Sequence, residues 1–152
     1  ASLLPRFPAF QSMKRRKARE YALQFLFQSD FGDKDHRKNN LKQFLSDKEN
    51  DPEVKKFASE IIDGTLSMLD EIDSAIKKAA ENWVLERMAA VDRNILRFAV
   101  YELLQRKDIP PAVTINEAIE IAKKYSTLES ASFINGILDK IAQKAKPKQK
   151  AK

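Results

Sequence analysis

Residues 90–105 read AVDRNILRFAVYELLQ. Wound at 3.6 residues per turn, Val91, Ile95, Leu96, Phe98, Ala99, Val100, Leu103 and Leu104 take up most of the circumference. A helix that is apolar nearly all round is one that other helices surround, so this stretch is expected to be the centre of an all-α protein. Past its first turn, which holds Asp92 and Arg93, two charged residues interrupt it, Arg97 and Glu102. Buried ionic groups need partners, and both are read as ties to neighbouring segments rather than as catalytic groups.

Working outward, Trp83, Val84, Leu85 and Met88 form an apolar cluster that is expected to be a short helical turn closing one end of a bundle. On the other side Asp108 to Pro111 ends the central helix. Thr114 with Glu117 has the spacing of a capping box before Ala118, Ile119, Ile121 and Ala122. Ser126 with Glu129 repeats that spacing, and Ser130 is a second candidate cap for a last helix presenting Phe133, Ile134, Ile137, Leu138 and Ile141. Asn135 and Gly136 are expected to interrupt that helix, the glycine allowing close packing. Nearer the N-terminus, a first helix is expected over 14–30, with Ala18, Tyr21, Ala22, Phe25, Leu26 and Ser29 on one face and Gly32 as its stop. A short second helix is expected near 40–46. A third begins with Asp51 as N-cap and Pro52 at the first position, and its apolar spacing continues to about Ala80. Only three glycines occur in 152 residues, and no segment alternates as a strand would.

Charge is distributed by position. The chain has 28 basic and 22 acidic residues, yet Arg6, Lys14, Arg15, Arg16, Lys17 and Arg19 precede the first acid. Lys140, Lys144, Lys146, Lys148, Lys150 and Lys152 follow the last one. The interior between these ends is therefore net acidic. A polyanion is drawn to the ends, because neutralised phosphates release counterions, and the acidic body suits a basic protein. Met13, followed at once by basic residues, looks like a natural start. Residues 1–13 are accordingly set apart as a leader, 14–144 as one helical RNA-binding domain and 145–152 as a lysine-rich tail.

Most chemistries lack their residues. With no cysteine and only His36, a thiolate or paired-His metal site is excluded and no metal or cofactor is expected. There is no glycine-rich phosphate loop and no Gly-x-Ser-x-Gly turn. Asp70, Glu71 and Asp73 are expected on an exposed helical face, with nothing to perturb one of them for acid–base work. No catalytic residues are assigned and the chain is not read as an enzyme. No apolar run is long enough to span a membrane, and a cytoplasmic location is expected.

The segment KRRKAR, Lys14 to Arg19, places positive charge at the start of a helix, where the helix dipole favours acids. Local helix stability does not account for it. Guanidinium groups suit phosphate and base edges, and Gln24 and Phe27 extend the same helix with a polar group and a ring that can stack on an unpaired base. Replacing Arg15, Arg16 and Arg19 with alanine is expected to weaken RNA binding and leave thermal stability nearly unchanged.

The runs VDRNILRFAVYEL (91–103), Ile109-Pro110, INEAIEIAKKY (115–125) and FINGILDKI (133–141), together with the RRKARE of 15–20, resemble the NusB family of bacterial transcription antitermination factors. The resemblance implies an all-α fold of about seven helices in two packed three-helix bundles. It implies partnership with NusE, a small-subunit ribosomal protein, on the boxA element of nascent RNA. Such a complex joins RNA polymerase and other Nus factors in antitermination, notably in rRNA operons. Carried over by position, the RNA surface is Lys14, Arg15, Arg16 and Arg19, with Phe133 as an aromatic contact. The family often has a basic residue before that aromatic, where this chain has Ser132. Glu86 and Asp92 match the NusE-facing side. Two alternatives remain at this stage, an RNA-recognition domain like those fused to rRNA cytosine methyltransferases and a protein-interaction scaffold without direct RNA binding.

Overall fold

The computed structural model describes residues 6–32, 36–81 and 84–145, with side chains placed for 11–32, 40–81 and 84–145. Trp83, the side chain of His36 and the lysines from 146 onward lie outside the described residues. Seven α-helices and one 3-10 turn account for most of what is described, and the chain divides into two compact units, Ala1–Ser67 and Met68–Lys152.

The first unit contains α1 (Arg6–Phe31), α2 (His36–Lys48) and α3 (Pro52–Ser67). Helix α1 begins eight residues before the expected start at 14. Pro8 is tolerated there because the first turn's N–H groups have no intrahelical acceptor. α1 packs along α3, and α2 touches both. The buried faces carry Ala18, Ala22 and Leu26 on α1, Leu41 and Leu45 on α2, and Phe57, Ala58, Ile61 and Ile62 on α3. Phe25 meets Phe44 edge to face at 5.2 Å. The predicted start of α3 is present: Asp51 Oδ1 accepts the Glu53 N–H at 2.9 Å, and Pro52 opens the helix.

The expected run to Ala80 is broken at Met68, which has φ −117° and ψ 21°. Ser67 Oγ donates to the Gly64 carbonyl at 2.9 Å, the acceptor that Met68 N–H would use in an unbroken helix. A glycine and a competing serine are a recurrent cause of such interruptions.

The second unit contains α4 (Leu69–Ala80), the 3-10 turn Leu85–Arg87, α5 (Ala90–Gln105), α6 (Pro111–Tyr125) and α7 (Leu128–Ala145). Helix α5 has the predicted bounds and is central, packing against α4, α6 and α7. Ile95, Leu96, Phe98, Ala99 and Val100 are all fully buried. The ionic pair in α5 ties segments together as expected. Arg97 grips Asp73 of α4 through two parallel bonds of 2.9 and 3.0 Å and also donates to Asn94 Oδ1 at 3.1 Å. Asp73 is thus not on a merely solvated face. Buried Glu102 accepts from Thr114 Oγ1 at 2.9 Å.

That bond corrects the capping-box reading. α6 already begins at Pro111, so Thr114 lies inside it and its hydroxyl serves Glu102 instead of a helix end. The cap of α7 is likewise neither serine: Thr127 Oγ1 accepts the Ser130 N–H at 2.9 Å. Helix α7 continues through Asn135 and Gly136. A Cβ built on Gly136 would meet nothing within 4 Å, so close packing within the chain does not explain this glycine. Val84 is exposed, whereas Leu85 and Met88 are buried, and Arg93 Nη1 holds the turn by donating to the carbonyls of Leu85 at 3.3 Å and Met88 at 3.0 Å. Lys140 belongs to the fold rather than to a tail, reaching the Ala79 carbonyl at 3.4 Å near the end of α4.

Candidate nucleic-acid interface

Helix α1 sorts its basic residues onto different sides, because residues three and four apart share a face and adjacent residues do not. Arg15 and Arg19 are stacked, as their spacing predicts, but on the inward side. The guanidinium carbon of Arg15 lies 4.5 Å from the centroid of the Phe57 ring and that of Arg19 lies 5.2 Å from it. Arg19 is only 1% exposed. A guanidinium is weakly hydrated and planar, so it can be buried against a ring where an ammonium would resist. This corrects the reading of a continuous arginine strip. Arg19 is part of the packing between α1 and α3, and a phosphate cannot reach it in this arrangement. Replacing all three arginines would therefore disturb the fold as well as the surface.

Lys14 and Lys17 lie along one edge of α1 and face acids. Lys14 Nζ is 3.2 Å from Asp51 Oδ2 and 3.4 Å from Glu53 Oε2. Its hydrogen bond to Asp51 is the main cause that raises its pKa above the ordinary lysine range. Lys17 Nζ is 2.9 Å from Glu49 Oε1, and that bond raises its pKa as well. Glu49 also accepts from Tyr21 Oη at 2.8 Å and from the Asp51 N–H at 3.0 Å. Lys17 above all holds its carboxyl down at about 2.

The outward side of α1 carries half-buried Arg16, Glu20 and Gln24 and exposed Phe27 and Phe31, with Lys17 and Gln28 at its margin. Phe27 and Phe31 meet edge to face at 5.2 Å, and Phe31 is 70% exposed. At 1.5 Å per residue, Arg16 and Phe31 are roughly 22 Å apart along the axis. The arrangement is a cation at one end, an acid and an amide between, and a pair of rings at the other. Cations neutralise phosphates, and an exposed ring face offers a stacking platform that any base can use.

In the second unit, Phe133 is half-buried on α7, with Ser132 exposed before it. Glu86 is exposed in the 3-10 turn, where its own backbone N–H and then Lys77 hold its carboxyl below the usual range, the Lys77 ammonium lying 3.3 Å away. Asp92 differs from expectation. It is 7% exposed and accepts from Ser126 Oγ and Ser130 Oγ, both at 2.7 Å. Its carboxylate binds the link between α6 and α7 to the start of α5 and is not displayed to a partner.

A family model described as NusB family matches residues 16–143. The chain belongs to the NusB family. It is 51% identical over 141 residues to the transcription antitermination protein NusB of Thermodesulfovibrio yellowstonii, an alignment covering 86% of this chain and 93% of that one. A solved structure of T. maritima NusB matches with a TM-score of 0.78 at 44% identity, over 88% of this chain and 94% of the other. A crystal structure of antitermination factors NusB and NusE in complex with dsRNA matches with a TM-score of 0.77 at 26% identity, over 87% of this chain and 98% of that one.

The NusB match begins at Arg16, so Lys14 and Arg15 precede it. The sequence reading did not single out Phe31, although its spacing of four from Phe27 was visible. It also did not single out Glu49, the acid that joins α1 to the link before α3. Apart from the Asp51 N–H two residues on, the partners of Glu49 lie 28 and 32 residues away in the chain, so local sequence does not mark it. No helix among the described residues is long and apolar enough to cross a membrane.

Proposed function

We propose that this chain is a transcription antitermination factor that binds single-stranded boxA-type RNA together with NusE, within a complex of RNA polymerase and other Nus factors, and that it performs no catalysis of its own. Family membership supports the role, and the related NusB with NusE and dsRNA supports the choice of partners. The observation that carries the RNA reading is the outward face of α1, where Arg16 and Gln24 precede two exposed rings. Arg16 supplies phosphate neutralisation, and Phe27 and Phe31 supply stacking worth about 1–3 kcal/mol per base. Phe133 is a further aromatic contact by resemblance to the family. Glu86 is retained as an acid facing NusE, since charge complementarity speeds encounter and sets register. Asp92 is withdrawn from that role because it is engaged within the chain.

Gel-shift titration of boxA-like RNA against a scrambled control, with and without NusE, tests the proposal. Arg16→Ala and Phe27→Ala should each weaken RNA binding while leaving the melting temperature nearly unchanged, and NusE should tighten it. Equal affinity for both RNAs in the presence of NusE, or unaltered binding in both variants, would remove the proposed face.

A further inference from the structure

Three acids at alternate positions, Glu49, Asp51 and Glu53, line the edge of α1 that carries Lys14 and Lys17, and local structure fixes two of them regardless of those lysines. Glu49 accepts the Asp51 N–H at 3.0 Å, and Asp51 accepts the Glu53 N–H at 2.9 Å as the cap of α3. The Glu49 and Asp51 carboxylates therefore stay beside α1 whether or not the ammonium groups face them, and Glu53 follows on the first turn of α3.

The two lysines are held differently. Glu49 is 8% exposed in its side chain and bonded to Tyr21 as well, so the Lys17 pair belongs to the packing of the unit. The pairs of Lys14 are open to water: its side chain is 36% exposed against 30% for Asp51 and 67% for Glu53. Exposed pairs of this kind are weak, each worth about two- to fivefold at most, and they exchange readily. A phosphate offers Lys14 a stronger, counterion-releasing alternative in the same place.

We propose that Asp51 and Glu53 are built-in competitors for the RNA backbone at Lys14, so that a strand engages this lysine only by displacing them, and that they set the affinity and salt dependence of the α1 surface. The inference rests on the RNA reading above. It makes the surface selective for dense polyanions, because an isolated anion gains one contact and still meets two nearby carboxylates.

The test is the double variant Asp51→Asn, Glu53→Gln, in which asparagine keeps the helix cap. Binding to a fluorescent single-stranded boxA-like RNA is followed by anisotropy from low to moderate salt, with Lys14→Gln made in both backgrounds. The double variant should bind about three- to tenfold more tightly at low salt, and its slope of log affinity against log salt should steepen by about 0.7, the value for one more neutralised phosphate on a single strand. Lys14→Gln should cancel that gain in the double variant and weaken binding by the parent by a smaller factor than it does in the double variant. RNA binding by the parent with no gain in the double variant would overturn the inference and leave the RNA reading standing. A gain that survives Lys14→Gln would overturn it too, since general charge removal would then be the cause. Binding by the double variant alone would support the competition, whereas RNA binding by neither protein would overturn both readings.

Discussion

Changing Glu49 to Gln removes one charge and almost no volume from the point where α1 meets the link before α3. The native carboxylate receives Lys17 Nζ at 2.9 Å, Tyr21 Oη at 2.8 Å and the Asp51 N–H at 3.0 Å. Its pKa is lowered from an ordinary 4.5 to about 2. At about 1.4 kcal/mol per unit, that depression gives a ceiling of roughly 3.4 kcal/mol. Lys17 is more than half exposed, and solvent screening reduces the figure to about 2 kcal/mol. Because the folded pKa lies below the unfolded one, this stabilisation is fully present above the unfolded value and is lost as pH falls through the folded value. The gap between parent and variant in urea unfolding should thus be about 2 kcal/mol at pH 7, fall to about 40% of that at pH 3, and nearly vanish at pH 1 to 2. Comparing the two proteins at each pH cancels the titration of other carboxylates. A gap that stays constant from pH 7 to pH 2 would mean that shape or hydrogen-bond count, not ionisation, is what Glu49 contributes.

Asp73→Asn should destabilise the second unit by about 3 kcal/mol at neutral pH, because it leaves the largely buried Arg97 guanidinium without its paired carboxylate; a loss under about 0.5 kcal/mol in chemical denaturation would show that Asn94 and solvent suffice. Gly136→Ala should raise stability by about 0.5–1 kcal/mol, since the site is helical and open, and a lower melting temperature would refute that.

What could be read in the sequence was what neighbouring residues decide. The bounds of α5 follow from its own apolar circumference, and the start of α3 follows from Asp51 and Pro52 acting on the N–H groups beside them. The family resemblance was equally legible, being carried by contiguous runs. The division at Met68 was harder, because the apolar spacing continues across it and only the bond from Ser67 to Gly64 reveals the competition. Thr114 and Ser126 have the pattern of caps, whose hydroxyl oxygens would accept backbone N–H groups, but both hydroxyls instead donate to carboxylates, Glu102 and Asp92, on another helix.

The arginines of α1 show why a site is less legible than a fold. Periodicity correctly puts Arg15 and Arg19 on one face, and charge suggests that this face meets water. The inference fails because Phe57, 38 residues beyond Arg19, offers a ring that a guanidinium can cover, so the cationic face becomes an inner one. The same rotation that buries Arg19 turns Arg16, Phe27 and Phe31 outward. A single aromatic on α3 thereby selects which side of α1 faces solvent, and the basic run divides between Arg15 and Arg19 against Phe57, Lys14 and Lys17 beside acids, and Arg16 on the side away from α3. Charge density in the sequence overstates the cationic surface for that reason. The phosphate contacts on α1 should accordingly be few, with stacking carrying a larger share of the affinity than the basic run alone implies.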